Sequence, residues 1–98
     1  MKVALVQQHA SPDLAENVRR GVEAFREAAR AGADLVAFAE LGLLRFLPQY
    51  PATAESLAMA EAIPGPTTEV FSNLAGELGV CCVLNLLEKD GGGTYDSS

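Results

Sequence analysis

A glutamate that closes an apolar strand is the residue in this chain best placed to do chemistry. Asp34-Leu35-Val36-Ala37-Phe38-Ala39-Glu40 is apolar at consecutive positions and ends on a carboxylate. Ligands in open α/β sheets bind outside the carboxyl ends of strands. A carboxylate there can act as general base when partial burial lifts its pKa towards neutrality. The competing reading of Glu40 is a solvated strand-end residue, and position alone leaves both open. Other reactive side chains are few. Cys81 and Cys82 are adjacent, and neighbours in a strand point to opposite faces, so they are poorly placed to bridge each other. They lack histidine partners at metal spacing, so no metal site is expected. Both fall inside an apolar run, where desolvation raises a thiol pKa, and both are expected to be inert, reduced thiols. His9 reads as a polar loop residue after the first strand. Lys89, beside Asp90 and a glycine run, reads as a solvated surface charge.

The elements that must position these residues follow from hydrophobic period and turn chemistry. Residues 2–8 read as a strand. Ser11-Pro12-Asp13 is turn chemistry, and Asp13 with Glu16 has capping-box spacing, with Asp in place of the usual Ser or Thr. Leu14, Val18, Val22, Phe25 and Ala29 then form one helical stripe. Glu16–Arg20, Glu23–Arg26 and Glu27–Arg30 are the favourable charge pairs expected on its outer face. Gly32 is the expected helix stop. Residues 34–40 are the second strand, apolar throughout as in a sheet covered on both faces. A loop follows, then a short helix over 53–62. Pro64-Gly65-Pro66 breaks the chain before a helix that starts at Thr67 or Thr68. That helix carries Val70, Phe71, Leu74, Ala75 and Leu78 on one face and stops at Gly79. Residues 80–87 read as a third buried strand, residues 88–93 as a flexible turn of hairpin size, and residues 94–98 as the opening of a fourth strand.

Strands alternating with helices predict an α/β layer with parallel strands. The 98 residues suffice for one small domain. Two helices can cover one face of such a sheet and leave the other bare, so the sequence reads as a domain that continues or that needs a partner surface. The net charge of −6 and the lack of a basic cluster argue against a nucleic-acid partner. No apolar run reaches the roughly 18–20 residues of a membrane span. The amino terminus turns polar at Gln7-Gln8-His9, too early for a signal peptide, so a cytoplasmic protein is expected.

The motifs also occur in a familiar order. Lys2-Val3-Ala4-Leu5-Val6-Gln7, a helix containing Asn17, and Gly32-Ala33-Asp34 leading through Phe38-Ala39-Glu40 resemble the opening of the nitrilase superfamily of carbon–nitrogen hydrolases. Members begin with a strand ending in Gln, a helix, a Gly-Ala-Asp turn and a strand that closes on an aromatic-Pro-Glu triplet. Ile63-Pro64-Gly65-Pro66, Leu74-Ala75 with Glu77-Leu78-Gly79-Val80, and Tyr95-Asp96-Ser97-Ser98 extend the likeness over almost the whole chain. No single piece is specific; the ordered set is. Two departures stand out. Ala39 replaces a proline that would fix φ before the glutamate, and Asn85 stands where many members have a strand-end glycine.

The resemblance implies a fold and a mechanism. Residues 1–98 would form the N-terminal part of a four-layer α-β-β-α sandwich, supplying part of one sheet and one helical layer. In this family a cysteine thiolate attacks an amide or nitrile carbon, a glutamate takes the thiol proton and later activates water, and a lysine stabilises the oxyanion. Of these only the glutamate maps onto the chain, at Glu40; the lysine and cysteine are expected beyond residue 98. The loop after Glu40 helps shape the substrate pocket in the family, which makes Phe46, Gln49 and Tyr50 candidate substrate contacts; the other reading is a loop that packs its own aromatics. A small amide or N-carbamoyl compound is the expected substrate, with no cofactor and with assembly into a homo-oligomer, a dimer or higher. Two alternatives come from other classes. A small ligand-binding α/β module would carry a Gly-rich phosphate loop after the first strand, and Gln7–Pro12 contains no glycine. A non-catalytic remnant would pair through its bare sheet.

Overall fold

Val3-Ala4-Leu5-Val6 is short, apolar and β-prone, and it forms strand β1 (Val3–Val6). The structure, a computed structural model, describes residues 1–39 and 60–98. Helix α1 (Leu14–Arg30) starts where the sequence asks it to. Asp13 stays extended at the N-cap, and its carboxylate accepts the Glu16 N–H at 3.3 Å, satisfying one orphan donor. Gly32 follows the helix with φ at 92°, a conformation costly for any residue with a Cβ. The expected stripe is on the inner side: Phe25 is fully buried, and Leu14, Val18, Val22 and Ala29 pack against the core.

The charge pairs differ from the expected set. Arg19 joins both Glu16 and Glu23, and Arg26 reaches across to Glu77 on the next helix instead of pairing along its own. All these side chains are largely exposed, so each pair is worth about 1 kcal/mol or less. Many partners lie within reach of long exposed side chains, and sequence spacing does not choose among them.

Strand β2 (Leu35–Phe38) pairs parallel to β1, with Val3 opposite Leu35 and Val6 opposite Phe38. Helix α2 (Pro66–Leu78) stops at Gly79, which sits at φ 66°. Phe71 and Leu74 face the core as expected, but Val70 is 41% exposed and belongs to the outer side. The helix expected over 53–62 lies outside the described residues except for its end, where Ala60–Ala62 is not helical and Glu61 makes a β-bridge to Glu88. The Ile63–Pro64 peptide is cis.

The run 80–87 is two elements rather than one strand. Strand β3 (Cys81–Val83) joins the parallel sheet beside β2, giving the order β1-β2-β3. Strand β4 (Leu86–Asp90) and strand β5 (Gly93–Ser97) form a separate antiparallel pair. The charged stretch read as a flexible turn is therefore mostly strand, and the turn shrinks to Gly91 and Gly92. Cross-strand pairing from Leu86–Ser97 to Asp90–Gly93 satisfies backbone groups that an open loop would leave to water.

Register sorts the parallel sheet into two faces. Ala4, Val6, Val36, Phe38 and Cys82 point to the helices, where Val36 is fully buried. The Phe71 ring sits 5.3 Å from that of Phe38, edge-on, and 6.5 Å from that of Phe25, so one side chain ties α1, α2 and β2 together. Val3, Leu5, Leu35, Ala37, Cys81 and Val83 share the opposite face. Among the described residues that face is bare: Leu5 is 78% exposed and Val3 52%. The three strands of this sheet are apolar at every position, yet among the described residues only one face is covered.

Candidate active-site edge

Because β1, β2 and β3 run parallel, their carboxyl ends lie along one edge of the sheet. From that edge the chain continues into Gln7-Gln8-His9 after β1, into Ala39 and then Glu40 after β2, and into Leu84-Asn85 after β3. This is the edge where open α/β sheets gather reactive groups. Glu40, Phe46, Gln49 and Tyr50 themselves lie outside the described residues. The structure describes the frame on either side of them.

The loop after β1 is held by a small polar network. Asn17 is completely buried one turn into α1. Its amide donates to the Ser11 carbonyl at 2.7 Å and accepts from the Ser11 N–H at 2.8 Å, which pairs it like a backbone group. Gln8 donates its side-chain N–H to the Asn17 carbonyl at 3.0 Å, and Arg20 donates to the His9 carbonyl at 2.9 Å. Removing one partner from such a buried set leaves a polar group unsatisfied, at a cost of about 1–3 kcal/mol. His9 is exposed, in keeping with a polar loop residue. After β3, Asn85 donates to the Ser98 hydroxyl at 3.0 Å and so links the strand end to the end of β5.

A second frame lies where the chain returns from residue 59. Glu61 pairs through its backbone with β4 and through its carboxylate with Thr67 at the start of α2. Sequence reasoning missed this pairing, because Glu61 read as a helix position and Thr67 only as a candidate helix start. A signal was present: Gly65 precedes Pro66 at the N-cap and has no side chain, so the helix must find its cap elsewhere.

The two cysteines differ. Cys82 faces the helices half-buried, and that burial pushes its thiol up to about 11, which keeps it protonated and unreactive near neutral pH. Cys81 departs from expectation: it is exposed, because β3 lies at the edge of the three-stranded sheet and presents that side chain on the bare face. Lys89 is exposed on β4. Among the described residues no three His, Cys, Asp or Glu side chains gather as metal ligands, and no helix is long and apolar enough to cross a membrane.

Known proteins resemble this chain in sequence and in fold. A sequence model of the carbon–nitrogen hydrolases matches residues 2–98. The chain is 33% identical over 101 residues to an omega-amidase NIT2 of Xenopus tropicalis, and 35% identical over 97 residues to an omega-amidase NIT2 of Danio rerio. Each alignment covers 98% of the chain and 33% of the relative, so the chain spans about a third of the length of the curated relatives it matches. Among solved structures, a carbon–nitrogen hydrolase from Helicobacter pylori G27 superposes with a TM-score of 0.82 at 16% identity, covering 98% of this chain and 39% of that one. An amidase from a Nesterenkonia species superposes with a TM-score of 0.73 at 25% identity, covering 93% and 34%.

Proposed function

The chain belongs to the carbon–nitrogen hydrolase family, and on that premise we propose that it is the N-terminal part of an amidase whose general base is Glu40. The observation that carries the reading is the position of this glutamate in the chain. It follows β2 by two residues in the sequence, β2 ends at the carboxyl edge of a parallel sheet, and the family match runs from residue 2 to residue 98.

The chemistry assigned to Glu40 is proton transfer. A cysteine beyond residue 98 attacks the carbonyl carbon of a small amide or N-carbamoyl compound. Glu40 takes the thiol proton and delivers it to the departing amine, leaving a thioester on the cysteine. It then removes a proton from water as the water attacks that thioester. A lysine, also beyond residue 98, holds the negative charge that develops on oxygen. Phe46, Gln49 and Tyr50 follow Glu40 closely enough to line the same pocket. The bare sheet face is where a second sheet of the four-layer sandwich packs, and the complete protein assembles as a dimer or larger.

The test is ammonia release from small amides and N-carbamoyl amines by the protein expressed from its complete reading frame. Glu40→Gln should lower kcat by about two to four powers of ten while leaving the fold unchanged by circular dichroism. Turnover that survives this substitution, or a reading frame with no lysine and cysteine after residue 98, overturns the proposal.

A further inference from the structure

The stretch from Cys81 to Asp90 changes partners but keeps one pleat. Cys82, Leu84 and Leu86 all belong to the core that the helices cover, so every second side chain stays on the same side through β3 and into β4. The backbone keeps the same alternation. The Cys81 N–H donates to the Asp34 carbonyl at 3.0 Å, towards β2. Further on, the Leu87 carbonyl accepts the Glu61 N–H at 2.9 Å, and the Lys89 N–H donates to the Glu61 carbonyl at 2.8 Å. Odd-numbered residues thus direct their peptide groups to the side of β2 and Glu61. Even-numbered residues direct theirs to the other side, where β5 receives those of β4.

Strand β5 stops short of β3. Its register pairs Leu86 with Ser97, and the next pair in line, Asn85 and Ser98, is joined through its side chains at 3.0 Å. Past that pair, β3 is the edge of its sheet among the described residues. Cys82 and Leu84 therefore present peptide groups along an open edge that an adjoining strand can satisfy. On the helix side of this edge lies a groove of about 290 Å³, lined by Thr68, Phe71, Ser72, Ala75, Cys82 and Leu84.

We propose that the segment directly after Ser98 docks on this edge as the next strand of the sheet, antiparallel to β3, and fills the groove with two apolar side chains. The register names the occupant. The first residue after Ser98 falls opposite Leu84, the second opposite Val83 and the third opposite Cys82. Opposed residues share a face, so the first and third enter the groove and the second joins Val83 on the bare face. Phe71, Ala75 and Leu84 make the groove walls largely apolar, which suits β-branched or aromatic side chains at those two positions. The length of the relatives agrees: the family match runs to residue 98, and the chain covers 33% of an omega-amidase relative. A strand attached at Ser98 also docks at an effective concentration that a second copy cannot match. The proposal goes beyond the amidase reading and does not depend on the chemistry of Glu40.

The experiment uses the protein from its complete reading frame. Amide hydrogen exchange at Cys82 and Leu84 should be slowed about a hundredfold or more relative to an open strand edge, in line with Cys81 and Val83. Free exchange at Cys82 and Leu84 beside protected Cys81 and Val83 overturns the proposal, as does a reading frame that stops at Ser98. Engineered cysteines then test occupant and register. A cysteine substituted at the third position after Ser98 should form an intramolecular disulfide with Cys82 under a mild oxidant, because opposed residues of paired strands lie within bridging range. A cysteine at the second position should not, since it faces away from Cys82. A link from the second position, or one between two copies, overturns the proposal. If the cysteine variants fail to fold, exchange in the wild-type protein decides. A protein that hydrolyses no amide but shows the protection and the third-position link removes the amidase reading and leaves the docked strand standing.

Discussion

Replacing Phe71 by alanine should remove most of the stability of this chain. The ring is 3% exposed and is the meeting point of the three elements that form the covered half of the sheet. Truncating a buried phenylalanine costs about 3–5 kcal/mol through lost transfer energy and the cavity left behind. Within that figure, the two ring pairs, edge-on with Phe38 and tilted against Phe25, each account for about 0.5–1.5 kcal/mol. A domain of this size has about 5–15 kcal/mol in total, and a sheet with one bare face belongs at the lower end. Phe71→Ala should thus bring the midpoint of urea unfolding close to zero denaturant. Phe71→Leu retains most of the volume and loses the ring contacts, so its cost should be about 1–2 kcal/mol. The assay is equilibrium urea unfolding followed by far-ultraviolet circular dichroism, repeated at several protein concentrations. A loss below about 1 kcal/mol for Phe71→Ala would refute the view that this ring joins α1, α2 and β2.

The remaining expectations concern the two sheet faces. Cys81 should react with a thiol reagent near neutral pH in the folded chain, whereas Cys82 should stay protected; equal rates would show that β3 does not hold the two on opposite faces. Because the folded state raises the Cys82 thiol from 9.0 to about 11, its contribution to stability is present below pH 9 and is lost as pH rises towards 11. Cys82→Ala should flatten that alkaline decline in a urea titration, and an unaltered slope would assign it to other groups. Leu5→Lys, at a position 78% exposed on the bare face, should cut the binding of a hydrophobic dye while changing unfolding stability by about 0.5 kcal/mol or less. Dye binding that persists undiminished would place the accessible apolar surface elsewhere.

Residues that act on their own chain neighbourhood were readable from the sequence. Asp13 as cap, Gly32 and Gly79 as stops, and the stripe through Phe25 all follow from local rules of backbone conformation and helical period. The ordered motifs from Lys2 to Ser98 led to the family because their order along the chain is specific where no single motif is. The readings that failed depend on what an element meets. The division of 80–87 into β3 and β4 is set by which neighbour accepts each backbone bond, β2 for the first part and β5 for the second. Asn85 interrupts the apolar run where the partner changes, but a single polar residue does not say which strand takes over the pairing. Arg26 chose Glu77 because packing brings α1 against α2 at that point.

The candidate site divides along the same line. Glu40 was legible because its significance comes from chain order: a carboxylate directly after an apolar strand within a family sequence of motifs. Glu61 was not, because its bonds join it to the start of α2 and to the more distant β4, and nothing local to Ala60-Glu61-Ala62 announces the Thr67 hydroxyl or the backbone of β4. The sequence by itself determined the α/β order, the covered apolar stripes and the family. Only the tertiary structure decided which sheet face is bare, which cysteine is exposed and what caps α2. The reason is that burial and hydrogen-bond pairing are properties of neighbours in space, whereas period and turn chemistry are written residue by residue.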